Sequence, residues 1–198
     1  MRILKIFLLF TFAVALTMCT SKKPEVKENP RYEMTVMQFD SQTKQDTLVG
    51  KIVLELFPEI APKHVQNFDS LVAAKFYDGC AFHRVIPDFM IQGGDPNTKD
   101  KPKETWGMGA PGQTKIPAEF NDMKHVPGIL SAARTNDPNS ATSQFFLMHG
   151  VSQHLDGKYT IYGKTVSGLE VIDKVAKVKR DGKDNPLDKV HFTIVKIK

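Results

Sequence analysis

Apolar residues recur at every second position in one short segment after another of this chain, a period that seats side chains on alternate faces of a strand and restricts the fold to a mainly β architecture. Residues 32–39 and 48–57 read as two strands joined by the polar loop 40–46, with Ile52, Leu54 and Leu56 on one face of the second. Short strands follow at 81–86, 89–92, 128–133, 144–149 and 160–164, and residues 189–198 close the chain as another alternating strand. Helical spacing occurs twice. Pro58 and Pro62 bracket a helix start, and Val65, Phe68, Leu71 and Val72 recur at that spacing until Gly79 intervenes. The second helix spans residues 168–178 and carries Leu169, Ile172, Val175 and Ala176. Between 95 and 128 the chain holds Pro96, Pro102, Pro111, Pro117 and Pro127 with Gly107, Gly109 and Gly112, an irregular excursion of the kind that is usually functional or disordered. With no βαβ rhythm and no internal repeat, the pattern predicts a closed antiparallel barrel with two helices rather than a doubly wound sheet.

Residues 1–18 depart from this pattern: Arg2 and Lys5 precede the apolar run 6–16, which only Thr11 interrupts, and no acid is present. That is the form of a secretory signal. Neither this run nor any other segment reaches the ~20 apolar residues of a bilayer-spanning helix, which excludes an integral helical membrane protein. An apolar content of 41%, with ten of the thirteen Phe outside the signal, argues for one folded domain with a substantial core. Without residues 1–18 the formal net charge falls from +5 to +3. The lysines are scattered except in 174–183 and 189–198, which read as a solvated helix end and a strand edge. No basic stretch is interleaved with stacking aromatics, so nucleic acid is not an expected partner. No heptad or surplus apolar stripe calls for a second copy, so a monomer is expected.

The run Leu16-Thr17-Met18-Cys19 resembles the lipobox of bacterial lipoproteins, in which the cysteine is diacylated and becomes the new N-terminus. Met18 stands where that motif usually has Gly, Ala or Ser, and the alternative is an ordinary signal cut nearby. Residues 22–30 read as a polar tether, which fits a lipid-anchored domain better. The expected organisation is therefore a lipoprotein-type signal over 1–18, a tether over 19–30 and a domain over 31–198, exported and anchored through Cys19 to a bacterial membrane, facing the periplasm. With Cys19 acylated, Cys80 has no disulfide partner and reads as a small buried hydrophobe.

Two stretches carry chemistry. In residues 82–95, alternation places Arg84 on the face of Phe82 and Ile86, and Met90 on that of Gln92; in residues 143–148 it aligns Gln144, Phe146 and Met148. Two strands thus each offer a polar donor beside an apolar surface. A guanidinium among apolar side chains is costly unless paired or used, and two readings stand: a barrel core with a structural ion pair, or a site.

The residues 82–95, the run Gly128-Ile129-Leu130-Ser131-Ala132-Ala133-Arg134, the block 139–146 and the run Leu155-Asp156-Gly157-Lys158-Tyr159-Thr160-Ile161-Tyr162-Gly163 together resemble the cyclophilin family of peptidyl-prolyl cis-trans isomerases, over about residues 32–198 and in the family's order. The resemblance implies a closed eight-stranded antiparallel barrel capped by two helices. It implies an enzyme acting on proline-containing unfolded or partly folded polypeptides, with no metal or cofactor. It further implies that Arg84 donates to the prolyl nitrogen, that Gln92 bonds the substrate backbone and steadies Arg84, and that Phe89, Met90, Phe146 and Leu155 form the proline pocket. Ala133 and Arg134 match the strand that pairs with the peptide, and Tyr159 keeps an aromatic wall where many members have histidine. Gln144 and His125 match positions near the groove. His154 stands where cyclosporin-sensitive members carry Trp, which implies weak cyclosporin binding.

Other motifs fall away. No G-x-S-x-G elbow or His-x-x-x-His helix supports a hydrolase or zinc site, and His64, His83 and His149 read as satisfied structural residues. Residues 107–112 lack the Lys-Ser/Thr of a phosphate loop and read as a turn-rich rim of the groove, while 181–188 lacks calcium-loop spacing. The competing function is a non-catalytic peptide-binding module or holdase on the same fold, which has no chemical need of Arg84.

Overall fold

The computed structural model describes residues 28–198; Cys19, the signal-like segment and tether residues 19–27 lie outside the described residues. Nine strands form a single antiparallel sheet: β1 (Arg31–Asp40), β2 (Gln45–Leu56), β3 (Cys80–Ala81), β4 (Arg84–Ile86), β5 (Met90–Gly93), β6 (Ile129–Ala132), β7 (Phe145–Met148), β8 (Ile161–Ser167) and β9 (Val190–Lys196). Their order is β3-β9-β1-β2-β8-β6-β7-β5-β4. The two outermost strands are successive parts of one bent segment, residues 80–86. Its first half pairs with β9 and its second with β5, and across the bend Phe82 N–H donates to Val190 O (2.9 Å) and His83 N–H to Gln92 O (3.0 Å). Counted as one strand, this segment makes eight staves, and closure leaves the sheet no long free edge.

The bend corrects one expectation. Phe82 does not share a face with Arg84: it lies fully buried inside the barrel, whereas Arg84 is exposed on the outside. Strict alternation fails because the chain changes partner strands between the two residues, and a corner rotates the side-chain sequence.

Elsewhere the period of two holds. Tyr32, Met34 and Val36 of β1 are fully buried, while Arg31, Glu33 and Thr35 face outward. In the following loop, the Asp40 carboxylate accepts the N–H groups of Gln42 (2.8 Å) and Thr43 (3.2 Å), an Asx turn that starts β2 in register. Helix α1 (Pro62–Ala73) begins with Pro in its first turn, and the Glu119 carboxylate accepts the otherwise orphaned N–H groups of Lys63 and His64, each at 3.0 Å. It ends well before Gly79. Lys75 takes a left-handed φ of 54°, while Lys75 N–H donates to Val72 O and Phe76 N–H to Leu71 O, the paired bonds of a Schellman stop. A one-turn helix α2 (Asn97–Asp100) lies in the excursion that the sequence left irregular, and α3 (Leu169–Ala176) follows Gly168, whose φ is 96°. The described residues therefore hold three α-helices rather than two, none long and apolar enough to cross a membrane.

Two hydrophobic clusters result. The larger fills the barrel and the space under α1 and α3, with Phe68, Tyr77, Phe145 and Phe192 among its rings. The smaller lies on the outer face of β5, β6 and β7: Met90, Ile129, Phe146, Met148, Leu155 and Ile161, with Ile86, Phe89, Ala133 and Tyr159 packed against it. Cys80 is a buried free thiol whose Sγ lies 3.6 Å from Phe76 O, and burial pushes it up to about 11.

Candidate active site

The smaller cluster is the floor of a groove. Because β4 and β5 pair with Arg84 opposite Gln92 and Ile86 opposite Met90, and β5 and β7 pair with Gln92 opposite Phe146 and Met90 opposite Met148, these side chains form a patch on one outer face. Leu155, in the 3-10 turn Gln153–Leu155, closes the floor from the far side. Above it is a cavity of about 120 Å³ lined by Arg84, Phe89, Met90, Gln92, Ala133, Arg134, Phe146, Leu155 and Tyr159. Its size is on the scale of the ~150 Å³ apolar cavity that admits a benzene ring. Nine of the eleven site residues named from the sequence thus surround one space.

Arg84 stands at the rim with its Cζ 6.0 Å from the centre of the Phe89 ring. Among the described residues it has no carboxylate partner and makes no side-chain hydrogen bond, so the structural ion pair is absent there and the guanidinium faces the cavity with its donors free. Gln92 Nε2 donates to Gln144 Oε1 (3.1 Å), and Gln144 Nε2 donates to Gly107 O (3.0 Å). Gln144 is therefore one step removed from the cavity and ties its floor to the 107–112 loop. That loop borders a second, adjoining space of about 180 Å³, which shares Gln92, Ala133 and Arg134 with the first.

Arg134 differs from Arg84. Its Nε and Nη2 donate to Lys158 O (3.2 and 2.7 Å), its Nη1 donates to Thr135 O (2.8 Å), and its Cζ lies 4.3 Å over the Tyr159 ring. The fork is spent on the protein's own loops, which makes Arg134 a stay for the groove's wall. His125 lies behind the cavity: its buried ring stacks on Phe146 at 6.0 Å, Nδ1 contacts Asp156 Oδ1 at 3.0 Å, and Nε2 lies 3.2 Å from Ser131 Oγ. Burial holds its imidazole below the usual range against the pull of Asp156. His154 is exposed and stacks on the outer side of Phe89 at 5.9 Å.

The sequence reading missed several supports. Asp95, fully buried, accepts N–H groups from Asn97 (3.0 Å), Gly107 (2.6 Å) and Gly109 (3.3 Å) and so pins the Pro/Gly-rich excursion over the groove. Its signal was present as a carboxylate opening that excursion. His83 is not a satisfied histidine: both ring nitrogens are buried without a partner, and burial drives the imidazole down to about 4. His64 is half satisfied, with Nδ1 2.6 Å from Glu119 and Nε2 unpartnered. His149 uses both nitrogens, on Asp88 N–H and Asp173. No group of three or more potential metal ligands occurs among the described residues.

Comparison with known proteins accords with this geometry. The family described as "Cyclophilin type peptidyl-prolyl cis-trans isomerase/CLD" matches residues 38–198. A peptidyl-prolyl cis-trans isomerase of Schizosaccharomyces pombe is 43% identical over 148 residues, covering 72% of this chain and 89% of the relative. Peptidyl-prolyl cis-trans isomerase-like 3 of Gallus gallus is 43% identical over 155 residues, covering 76% and 92%. The crystal structure of a Cryptosporidium parvum cyclophilin-type isomerase, in the presence of the dipeptide Ala-Pro, superposes with a TM-score of 0.68 at 29% identity, covering 83% of this chain and 99% of that one. This chain belongs to the cyclophilin-type peptidyl-prolyl cis-trans isomerases, a family of enzymes.

Proposed function

We propose that this chain accelerates cis-trans isomerisation of X-Pro bonds in exported polypeptides as they fold, with Arg84 as the donor to the prolyl nitrogen. The observation that carries the reading is the unpaired Arg84 guanidinium beside a ring-sized cavity with an apolar floor. An X-Pro bond resists rotation by ~20 kcal/mol because twisting forfeits amide resonance, and it exchanges spontaneously in ~10 to 100 s. As the amide twists, the nitrogen regains a lone pair and becomes an acceptor that exists only near the transition state. A charged donor aimed at it contributes ~1.5 to 3 kcal/mol, and does so selectively for that state.

The other side chains have distinct tasks. Phe89, Met90, Phe146 and Leu155 hold the pyrrolidine ring while the preceding carbonyl turns, and their apolar surfaces strip water from a planar amide that water stabilises. Gln92, anchored through Gln144, bonds the substrate backbone beside Arg84. Ala133 and Arg134 border the path of the bound peptide, with Tyr159 as its wall and His125 behind Phe146. No bond is broken, so the step needs no nucleophile and no metal.

The N-terminal residues extend the reading. The signal-like residues 1–18, the lipobox-like Cys19 and the polar tether support a monomeric domain over 31–198, exported and held by a lipid at a bacterial membrane on its periplasmic side. Mass and acyl analysis of the N-terminus of the mature chain tests that part.

The deciding measurement is the cis-to-trans rate of a short Ala-Pro-Phe peptide with the full chain and with Arg84→Ala. The acceleration should fall by ~10- to 100-fold in the variant, while peptide binding persists. A wild-type chain that binds peptide yet leaves the spontaneous rate unchanged would make it a holdase. Cyclosporin should bind weakly because His154 stands at the position of the missing indole, and nanomolar affinity in a titration would count against that.

A further inference from the structure

We infer that His149 is a positioning residue for the isomerase site: its imidazole accepts the Asp88 amide and so holds the turn 86–89, and with it the Phe89 ring, in the wall of the cavity. The inference deepens the proposed function and rests on it for its kinetic consequence.

Hydrogen bonding assigns the tautomer. Asp88 N–H donates to His149 Nδ1 at 2.8 Å, so Nδ1 must carry a lone pair. The ring proton then sits on Nε2, where it donates to Asp173 Oδ1 at 2.9 Å. Each nitrogen is used, and the ring is fixed at both ends between a turn and α3.

The turn needs such a restraint. Asp88 has a φ of 59°, a left-handed conformation that aspartate tolerates better than most residues but that still favours a turn tied down by its surroundings. The surroundings come largely from the two residues after β7. Phe89 O accepts His149 N–H (2.9 Å) and Gly150 N–H (3.1 Å), and Gly150 lies so close beneath the turn that a Cβ there would sit 2.0 Å from Asp88 O. The backbone of 149–150 thus holds the Phe89 carbonyl, and the His149 ring holds the Asp88 amide. Held from both sides, Phe89 places its ring between the Arg84 guanidinium and His154.

Loss of the imidazole breaks this arrangement. Without an acceptor at the Nδ1 position the Asp88 N–H has no partner in the turn and must turn away to water. The charged groups facing the ring are Asp88 from the turn, with Oδ1 3.9 Å from Nδ1, and Asp173 from α3, which Lys177 shares at 2.7 Å. The Asp88 carboxylate is 98% exposed and offers the turn no second hold. The turn loses a restraint, and Phe89 loses its place against Arg84.

The test compares the full wild-type chain with His149→Asn, whose amide oxygen keeps an acceptor near the Nδ1 position but cannot be protonated, and with His149→Leu, which keeps none. At pH 7.5 kcat/KM for the Ala-Pro-Phe peptide should be near wild type in the first and reduced about three- to tenfold in the second, chiefly through KM, the factor that one ordinary hydrogen bond supplies. A His149→Asn variant as impaired as His149→Leu, or full activity in a folded His149→Leu, overturns the inference. Nitrogen-15 and proton NMR of the wild type and both variants supply an arm that needs no turnover. The wild-type spectra should show the ring proton on Nε2, and the Asp88 amide and the Phe89 ring should shift together in His149→Leu while staying near wild type in His149→Asn. A ring proton on Nδ1, or a Phe89 ring unmoved in His149→Leu, sinks the inference even if the chain proves to bind peptide without isomerising it.

Discussion

Phe145 and Phe146 are neighbours in β7 with almost equal burial, 0% and 5% exposed, yet they belong to regions of opposite character. Phe145 points into the barrel, where the rings of Phe68, Tyr77 and Phe192 surround it at 6.1, 5.7 and 5.7 Å. Phe146 points out, backed by His125 and flanked edge-on by Tyr159 at 5.8 Å, with a cavity on its remaining side. Burial alone does not distinguish them. The difference is that the interior cluster is complete without a partner, whereas the groove cluster leaves one ring face open and one cation, Arg84, unspent.

Substitution at the two neighbours sharpens this contrast most. Phe145→Ala should destabilise the chain by ~3 to 5 kcal/mol, read by urea unfolding, because it opens a closed cavity among packed rings. Phe146→Ala should cost about half as much, since its void opens to water, but should lower kcat/KM by at least ~10-fold in the folded protein. Equal destabilisation with activity kept would mean that the groove cluster is merely a second core.

The corner of the closing strand tests the interior in another way. His83 is held neutral by burial, with a folded value of about 4, while the unfolded chain binds its proton near 6.5. The unfolded state therefore takes up the proton first as pH falls, so stability is full above about pH 6.5, declines towards pH 4, and loses nothing more from this group below that. The loss is at most ~3 kcal/mol. Unfolding of wild type and His83→Gln at pH 7, 5.5 and 4 checks this, and an acid slope unchanged in the variant would refute it.

The smallest effect is expected on the wall opposite the groove. There Arg31 forks onto Glu55 (2.9 and 2.7 Å) and Lys51 meets Glu33 at 2.7 Å, so outward charges are spent on each other. Arg31 is 44% exposed, and Arg31→Ala should cost below ~1 kcal/mol. Turnover should not change, in contrast to Arg84→Ala, and a comparable loss of turnover would undo the distinction between the two arginines.

Much of this was legible in the residues. The period of two placed Met90 with Gln92 and Phe146 with Met148, and the structure brings those faces together through the β5–β7 pairing. The helices were legible because apolar residues recur on one face of each, although in α3 the buried set takes Val171 in place of Leu169, which is exposed at the first turn. The one-turn α2 was not, since four residues carry no period, and the end of α1 was not, since a lysine rather than a glycine makes the left-handed stop. Phe82 was misplaced because periodicity presumes one partner strand, and the closing segment has two.

What the sequence by itself determined is the strands and the two longer helices, and which side chains share a face wherever a strand keeps one partner, because steric limits on φ and ψ act over a few residues and repeat with the chain. What only the tertiary structure decided is which faces meet. The Glu119 cap on α1 spans 55 residues, His149 reaches Asp88 across 61, and Gln92 meets Gln144 across 52. Such partners are chosen by closure of the barrel and the burial it achieves, a collective balance to which no local pattern holds the key.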